Sequence, residues 1–179
     1  NNLVSPAQAV EKIAGTGFKV LDCSFCHLED ESLLGGDNWE KMIDDTAEAA
    51  ARHGIVFSQA HTPMGPTLDQ GIKGQEFFEL TRRSLVGAAK LGIKWSVIHI
   101  EDIPGPYSRE HIKLILKSNV AFFQKLYPTM EKYNIGILVE NAPDKHAAYP
   151  NRRRFCSAVE EILDTVQALN HPLVGTCWD

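Results

Sequence analysis

The sequence predicts an α/β protein with a parallel sheet of the kind found in (β/α)8 barrels. Short apolar segments rich in valine and isoleucine recur at spacings of 37, 38, 42 and 38 residues, and a helical pattern precedes each segment. A polar residue able to do chemistry stands at the end of every segment. An open doubly wound sheet would carry such residues beside its switch point alone, whereas all strands of a barrel end at one shared site. The five residues are Asp22, His61, His99, Glu140 and Asp179.

The five apolar segments are predicted to be strands that are buried on both faces. Their sequences are GFKVLDCS, GIVFSQAH, GIKWSVIH, NIGILVEN and PLVGTCWD, starting at residues 17, 54, 92, 134 and 172. Four of them open with a residue that tolerates the left-handed conformation in which helices commonly end. Gly17, Gly54, Gly92 and Asn134 are therefore predicted to close the preceding helices.

Amphipathic patterns predict a helix before each strand. Ser5 and Pro6 supply an N-cap and a first helical residue for the first helix. Residues 109–133 predict one longer helix with a kink near Pro128. Apolar faces are expected at Trp39, Ile43, Ala47, Ala50 and Ala51, at Phe77, Leu80, Leu85 and Ala88, and at Val159, Ile162, Leu163 and Val166; Phe78, Trp95 and Trp178 are also expected to be packed.

The predicted elements make up part of a barrel. A (β/α)8 barrel needs about 250 residues, and this sequence of 179 residues contains five predicted strands. We expect the first strand of the barrel to precede Asn1 and two further strands to follow Asp179. Residues 1–179 are accordingly predicted to form a single domain that is a partial TIM barrel.

The composition of the sequence argues against several classes of function. The formal net charge of −5 and the pI of about 5.8 argue against wrapping of nucleic acid, which needs a basic surface. Neither a long apolar run nor a secretion signal is apparent, so no membrane association is expected. The segment CSFCH, which contains Cys23 and Cys26, has the spacing of haem-attachment, redox and zinc half-site motifs. The simpler interpretation is that these thiols, with Cys156 and Cys177, are small buried groups in the reducing cytoplasm.

Four segments carry a resemblance to a known family. AHTPMG, VIHIED, LVENAP and VGTCWD resemble, in order and spacing, the xylose-isomerase-like TIM barrels of the AP endonuclease family 2 superfamily. This family contains sugar and sugar-phosphate isomerases and epimerases, with endonuclease IV as a relative. The resemblance implies a divalent cation held by a Glu, an Asp, a His and a second Glu from successive strands. Glu140 and Asp179 match the first two, and the other two are expected beyond Asp179.

Strand geometry also places the two carboxylates together without reference to the family. Side chains alternate along a strand, so Glu140 shares a face with Leu138, and Asp179 shares one with Cys177. Two carboxylates in a sheltered mouth repel each other unless a cation joins them or one is protonated. Oxygen ligands suit Mn²⁺ best, with Mg²⁺, Co²⁺ and Zn²⁺ as alternatives.

These features predict a metal-dependent isomerase or epimerase of sugars or sugar phosphates. The expected reaction is α-proton transfer through an enediolate, with Glu140 as the base unless the second Glu of the family takes that role. The alternatives are a dehydratase of the inosose type on the same site, an endonuclease IV-like zinc phosphodiesterase, and a barrel that binds a sugar or metal without turnover. The expected partner is a small carbohydrate, with no nucleic acid, and the protein is compatible with a homo-oligomer.

Several further residues are candidates for contact with the substrate. His61, His99 and Asn141 stand at or just beyond strand ends, and Arg152 begins an arginine run. An arginine of this run is a candidate for holding a phosphate or carboxylate of the substrate. The segment HTPMGPTLDQGIKGQ, which begins at His61, is long for a connection between a strand and a helix and is a candidate lid.

Overall fold

The computed structural model describes residues 5–26, 34–69, 71–146 and 149–179. Within these ranges, five strands form one parallel sheet in the order β1-β2-β3-β4-β7, and two short strands form a separate antiparallel hairpin. The strands are β1 (Val20–Ser24), β2 (Val56–His61), β3 (Trp95–Ile98), β4 (Gly136–Glu140), β5 (Lys145–His146), β6 (Tyr149–Arg153) and β7 (Val174–Cys177). The helices are α1 (Pro6–Ala14), α2 (Trp39–His53), α3 (Ile72–Lys90), α4 (Arg109–Gln124), α5 (Tyr127–Tyr133) and α6 (Val159–Leu169).

The predicted alternation of helices and parallel strands is confirmed. The residues expected to precede the strands in the left-handed conformation have φ values of 91° (Gly17), 61° (Gly54), 81° (Gly92) and 50° (Asn134). Glycine reaches these angles without a steric penalty, and asparagine is one of the few other residues that tolerate them. Each strand therefore starts where a local backbone preference turns the chain back toward the sheet.

The first helix has the predicted start. The Ser5 hydroxyl accepts a hydrogen bond from the Gln8 backbone N–H at 3.2 Å, and the Gln8 side chain accepts one from the Ser5 N–H at 2.9 Å. This reciprocal pair satisfies two backbone donors that a helix start otherwise leaves open. Pro6 occupies the first turn, where its missing N–H costs nothing.

The single long helix predicted for residues 109–133 was wrong. The structure has two helices, α4 and α5, separated by Lys125 and Leu126. Pro128 lies in the first turn of α5 and so starts a new helix where a kink was expected. Leu126 is fully buried at the break, which anchors the junction between the two helices in the core. Proline is readily accepted in a first turn, whereas inside a helix it would remove a hydrogen bond.

The apolar face predicted for the last helix was partly wrong. Val159 and Leu163 are 49% and 47% exposed, whereas Ile162 and the charged residue Glu161 are buried. The Glu161 carboxylate accepts hydrogen bonds from the Arg153 side chain and from the Cys156 N–H, each at 2.8 Å. Because these bonds satisfy a buried carboxylate, α6 can turn Glu161 inward and leave two apolar residues outside. In α2, Ala51 is likewise exposed.

The helices cover one face of the sheet, and the main core lies between them. Phe25, Phe123 and Phe155 are among its largest fully buried side chains, and Trp39 and Phe77 are buried as expected. The packing expected for Trp95 and Trp178 was wrong, because they are 38% and 65% exposed. The Trp95 ring lies over Gly136, where an added Cβ would come within 2.2 Å of it.

Strands β1 and β2 are exposed on one face, contrary to the expected burial of both faces. Val20 and Val56 point away from the helices and are 56% and 59% exposed. The pairing of the two strands also contains a bulge, because Leu21 pairs with Phe57 while Asp22 pairs with Gln59. This shift by one residue reverses the alternation along the rest of β2. None of the helices in the described ranges is long and apolar enough to cross a lipid bilayer.

Glu79 in α3 forms a charged cluster that gives a pH-dependent contribution to stability. Its carboxylate accepts hydrogen bonds from Arg82 at 2.7 Å and from Arg83 at 2.9 Å. Arg83 also donates to the Leu34 carbonyl at 2.8 Å, so the cluster links α3 to the chain before α2. The hydrogen bonds from Arg82 are the main reason why the pKa of Glu79 is lowered to about 2.

We expect Glu79→Gln to lower the free energy of unfolding at pH 7 by at most about 1 kcal/mol, because the cluster is partly exposed. A lowered pKa in the folded state stabilises above the ordinary value of 4.5, and this stability is lost as the pH falls toward about 2. The difference between variant and parent in urea unfolding should therefore shrink from pH 5 to pH 3. Glu76→Gln, at an exposed position of the same helix, is the control. A difference that stays constant over this pH range would contradict the assignment.

Candidate functional site

The carboxyl ends of the parallel strands carry a continuous row of polar side chains. Asp22 on β1 contacts His61 on β2, with 3.0 Å between Oδ2 and Nδ1. The rings of His61 and His99 are stacked, with their centroids 6.0 Å apart and their planes 24° from parallel. The row exists because the strands are parallel and their ends lie at the same edge of the sheet.

His99 connects this row to Glu140 at the end of β4. The distance from His99 Nδ1 to Glu140 Oε2 is 2.8 Å, so the ring N–H can donate to the carboxylate. The Nε2 atom of the same ring lies 3.7 Å from the Cys26 sulfur, and the Cys26 thiol donates to the Thr62 carbonyl. These contacts fix the plane of the imidazole and, through it, the orientation of Glu140.

Asn141 and Asp179 join the connections that follow β4 and β7. The Asn141 side-chain amide donates to the Asp179 carbonyl at 2.9 Å, and its oxygen accepts from the Asp179 N–H at 2.7 Å. A side-chain amide has both a donor and an acceptor, so one residue can hold another backbone on both sides. The pair holds the Asp179 backbone next to the end of β4, and Asp179 lines the same cavity as Glu140.

The environment of Glu140 changes its acidity. Its side chain is 12% exposed, and this burial is the main cause that raises the pKa of the carboxyl group. His61 lowers the pKa in part, and the negative charge of Asp179 raises it further. A mostly buried carboxylate next to a second carboxylate is poorly stabilised as an anion, so it favours either a proton or a cation.

A cavity of about 630 Å³ opens beside this row. Four of the predicted site residues line it: His99, Glu140, Asn141 and Asp179. His61 reaches the site through its contact with His99. Arg152 lies on β6, and its side chain is outside the part of the chain that the structure describes. The volume falls within the range of about 300–1,000 Å³ that is typical of small-molecule sites.

The candidate lid is fastened to the neighbouring connection. The Thr67 hydroxyl and the Leu68 N–H each donate to the Glu101 carboxylate at 2.9 Å. Glu101 is held in turn by the fully buried Asn119 of α4, which accepts from its N–H at 3.0 Å and donates to its carbonyl at 2.9 Å. The wall of the cavity formed by residues 63–67 is therefore tied to α4 through Glu101.

The donors in the site suit a hard divalent cation but do not complete its shell. Glu140 and Asp179 are oxygen ligands, and the raised pKa of Glu140 reflects a need for positive charge that a cation would meet. Among the described residues, no group of three His, Cys, Asp or Glu side chains is arranged to hold a metal. The two carboxylates therefore fit as part of a ligand set.

The sequence profile of the family described as xylose isomerase-like TIM barrel matches residues 10–179. The chain belongs to this family. The xylose isomerase-like fold is also found in solved structures that are similar to 98–99% of the chain. The chain spans about three fifths of the length of these structures. No curated protein sequence matches it.

Three of these structures illustrate the range of the xylose isomerase-like barrels. A D-tagatose 3-epimerase-like protein has a TM-score of 0.72 at 22% identity, with 98% of this chain and 62% of that chain covered. The 3-keto-D-glucoside 4-epimerase YcjR from E. coli has a TM-score of 0.72 at 14% identity, with coverages of 99% and 64%. The IolI protein with a bound zinc atom has a TM-score of 0.66 at 19% identity, with coverages of 98% and 57%. At these identities the likeness establishes the fold.

The cavity and its surroundings also contain residues that the sequence did not single out as site residues. Glu101, Asp102 and Arg154 line the cavity, and Cys26 contacts His99. The two acidic residues after His99 and the arginine run were visible signals, but nothing in the sequence showed which members face the cavity. Directly after Arg154 the chain turns at Phe155 and Cys156, and Cys156 is a non-glycine residue with a φ of 65°.

The four cysteines are free thiols, and of these Cys156 is buried while the other three are partly exposed. Burial raises the pKa of Cys23 and of Cys156 to about 12, which keeps both thiols protonated and unreactive near neutral pH. The residue that completes the haem-attachment pattern, His27, lies outside the described residues. The interpretation of Cys23 and Cys156 as inert small groups therefore fits their surroundings.

We expect Asn119→Ala to lower the free energy of unfolding by about 2–3 kcal/mol, because it leaves the Glu101 N–H and carbonyl without their partner. Cleavage within residues 62–69 by limited proteolysis should become faster as the Glu101 anchor loosens. Asn38→Ala is a matched control, since Asn38 precedes α2 without a side-chain capping bond. Equal unfolding and proteolysis of the two variants would show that Asn119 does not hold this wall.

Proposed function

We propose that this protein is a metal-dependent isomerase or epimerase of sugars or sugar phosphates. The observation that carries the proposal is the Glu140 carboxylate, which lies 12% exposed at the end of β4 beside a cavity that it shares with Asp179. The solved structures described as a D-tagatose 3-epimerase-like protein and a 3-keto-D-glucoside 4-epimerase support the same class of reaction. The proposed reaction is the transfer of a proton at the carbon next to a carbonyl, through an enediolate.

Glu140 and Asp179 would hold the divalent cation, for which we propose Mn²⁺, with Mg²⁺, Co²⁺ and Zn²⁺ as alternatives. The zinc atom bound to IolI supports a metal in this fold. A cation at this position supplies Lewis acidity, which polarises a substrate carbonyl and lowers the cost of the negative charge that develops there. Glu140 and Asp179 line the same cavity, and burial makes the negative charge of Glu140 unfavourable unless a positive charge lies beside it.

Glu140 is the proposed base that takes the α-proton. A general base works best when its pKa lies near the operating pH, and burial moves the pKa of Glu140 upward from its ordinary value. The contact from His99 Nδ1 at 2.8 Å orients the carboxylate for this transfer. His61, His99, Asn141 and Arg152 are proposed to contact the hydroxyl or acidic groups of the substrate.

The size and charge of the site favour a small carbohydrate over a nucleic acid. The cavity of about 630 Å³ is suited to a monosaccharide, and carboxylates of Glu101, Asp102, Glu140 and Asp179 line it. A phosphodiester backbone would meet like charge there, in a chain whose formal net charge is −5. The endonuclease IV-like alternative is for this reason the weaker proposal.

Removal of either carboxylate should reduce the metal content of the protein. We expect the intact protein, dialysed after loading with Mn²⁺, to retain about one equivalent, and Glu140→Gln and Asp179→Asn to retain far less, because each variant replaces an anionic ligand with a neutral amide. Elemental analysis gives the measurement, and Glu110→Gln at an exposed position of α4 is the control. Unchanged metal content in both site variants would remove the metal assignment.

Turnover in deuterium oxide tests the proton transfer itself. A proton carried by a carboxyl group can exchange with solvent, so ketoses or ketose phosphates turned over by the intact protein with Mn²⁺ should gain deuterium at the α carbon. Glu140→Gln should slow this exchange by about 10²–10⁴-fold, the usual contribution of a general base.

Mass spectrometry and NMR of the product distinguish the alternatives. An isomerised product without deuterium would indicate a hydride shift and exclude Glu140 as the base. Loss of water from an inosose would indicate the dehydratase on the same site. Cleavage of abasic DNA with no change in any carbohydrate would overturn the proposed function.

A further inference from the structure

The segment that carries Arg154 is built as a rigid turn at the edge of the cavity. The Arg154 N–H donates to the Asp144 carbonyl at 3.1 Å, and the Arg154 carbonyl accepts from the Ser157 hydroxyl at 2.7 Å. The Ala142 N–H donates to the Cys156 carbonyl at 2.9 Å, so the turn is attached to the connection that follows β4. Cys156 has a φ of 65°, and the chain turns at Phe155 and Cys156, immediately after Arg154.

The neighbouring arginine fastens the same turn from the other side. Arg153 donates to the Tyr107 hydroxyl at 2.6 Å and to the Glu161 carboxylate at 2.8 Å, and its guanidinium lies 5.0 Å from the centre of the Tyr107 ring. Tyr107 also donates to Glu161. Arg153 is therefore occupied by a structural cluster, whereas the adjacent Arg154 is presented to the cavity.

The Arg154 side chain has an incomplete set of partners. Its Nε atom is buried, and no hydrogen-bond acceptor reaches it within the described ranges of the chain. A buried donor of a charged group that finds no acceptor is costly, and native proteins rarely keep one without a use. Arg154 is also one of the residues that line the cavity, so a ligand bound there lies next to this side chain.

We propose that Arg154 binds a carboxylate group of the substrate, so that the substrate is a keto acid or sugar acid. This inference rests on the proposed function and names its substrate class. A guanidinium presents N–H donors in a planar fork that matches the two oxygens of a carboxylate, and such charge-assisted pairs are among the strongest hydrogen bonds in proteins. The turn fixes the backbone from which the Arg154 side chain extends, which reduces part of the entropy cost of binding.

The charge of the cavity favours a carboxylate over a phosphate. Among the described lining residues, Arg154 and His99 are the groups that can carry positive charge, while Glu101, Asp102, Glu140 and Asp179 contribute carboxylates. A phosphate with nearly two negative charges would meet more repulsion from this lining than a carboxylate with one. One guanidinium is also a small donor set for a phosphate, whereas its two parallel N–H groups can bond both oxygens of a carboxylate.

The test compares three six-carbon probes by calorimetry with the intact protein and Mn²⁺. The probes are 5-keto-D-gluconate as the keto acid, D-fructose as the neutral ketose and D-fructose 6-phosphate as the phosphorylated ketose. We expect the keto acid to bind about 10- to 100-fold more tightly than fructose, as one charge-assisted pair allows. Arg154→Gln should remove this preference and leave the affinity for fructose unchanged.

Two further variants serve as controls for the change in charge and for the loss of the guanidinium group. Arg52→Gln makes the same change in charge at an exposed arginine that pairs with Glu11, and it should leave all three affinities unchanged. Arg154→Lys keeps the charge but loses the fork, so it should weaken binding of the keto acid by a smaller factor than Arg154→Gln. Should Arg154→Gln melt at a much lower temperature, Arg154→Lys supplies the comparison.

The proposal is overturned if the keto acid and fructose bind equally, if the preference survives in both Arg154 variants, if fructose 6-phosphate binds most tightly, or if no probe binds. Proton exchange in deuterium oxide, measured on the same probes, separates this inference from the proposed function. Exchange on the keto acid that stays unchanged in both Arg154 variants would leave the isomerase intact and remove the carboxylate site. Binding of the keto acid that depends on Arg154, without proton exchange on any probe, would support the carboxylate site and contradict the proposed isomerase function.

Discussion

Parallel pairing of neighbouring strands is the constraint on which the site depends. Glu140 is paired with Cys177, and Ser24 with His61, so the strands end at nearly the same level. Each strand comes from a different unit of the chain, and the closing of each helix by a glycine or asparagine returns the chain to the same edge. The polar residues therefore meet although they are far apart in sequence. A polar residue at a strand end can be replaced without any change in the helices that cover the other face of the sheet.

Two asparagines connect this edge to the rest of the molecule. Asn119 satisfies the backbone of Glu101 from within α4, and Asn141 satisfies the backbone of Asp179 across two connections. An aspartate at either position would have the acceptor without the donor, and a leucine would have neither. The amide side chain is thus suited to hold irregular backbone near a site, where no sheet ladder is available to satisfy it.

The charges along the row are arranged in an order that limits repulsion. The two imidazoles, His61 and His99, lie between the carboxylates of Asp22 and Glu140, and each contacts one of them. Beside Glu140 lies a second carboxylate, Asp179, whose negative charge adds to the effect of burial in raising the pKa of Glu140. The electrostatic need for a cation is therefore concentrated at one end of the row.

The sequence was a good guide to whatever depends on local backbone preference. The strands, the left-handed residues before them and the capping box at Ser5 follow from short-range rules, and the neighbourhood of Glu140 and Asp179 follows from repetition of one unit. The positions of side chains whose partners lie far away in the sequence were harder to predict. Glu161 is buried because Arg153 and Tyr107 come from other segments, and no periodicity within α6 contains that information.

The surroundings of Arg154 also could not be predicted from the local sequence. Three consecutive arginines look alike in sequence, yet the turn at Cys156 and the hydrogen bond to Asp144 decide that Arg153 and Arg154 face different surroundings. The break between α4 and α5 and the exposure of Trp178 likewise depend on what lies across the fold. Sequence patterns indicated the edge of the sheet at which the site forms. Tertiary packing determines which residues line the site.

The bulge in β2 has a consequence for how this part of the site can change in evolution. Phe57 and the fully buried Ala60 both face the helices, although three positions apart in a regular strand would face opposite ways. The additional residue at Ser58 is what sends His61 to the side of Asp22. Deleting one residue here would leave every amino acid type of the site in the chain and yet turn the imidazole into the helical layer. Homologues with a gap at this position should accordingly be read as lacking the histidine, even when an alignment shows it conserved.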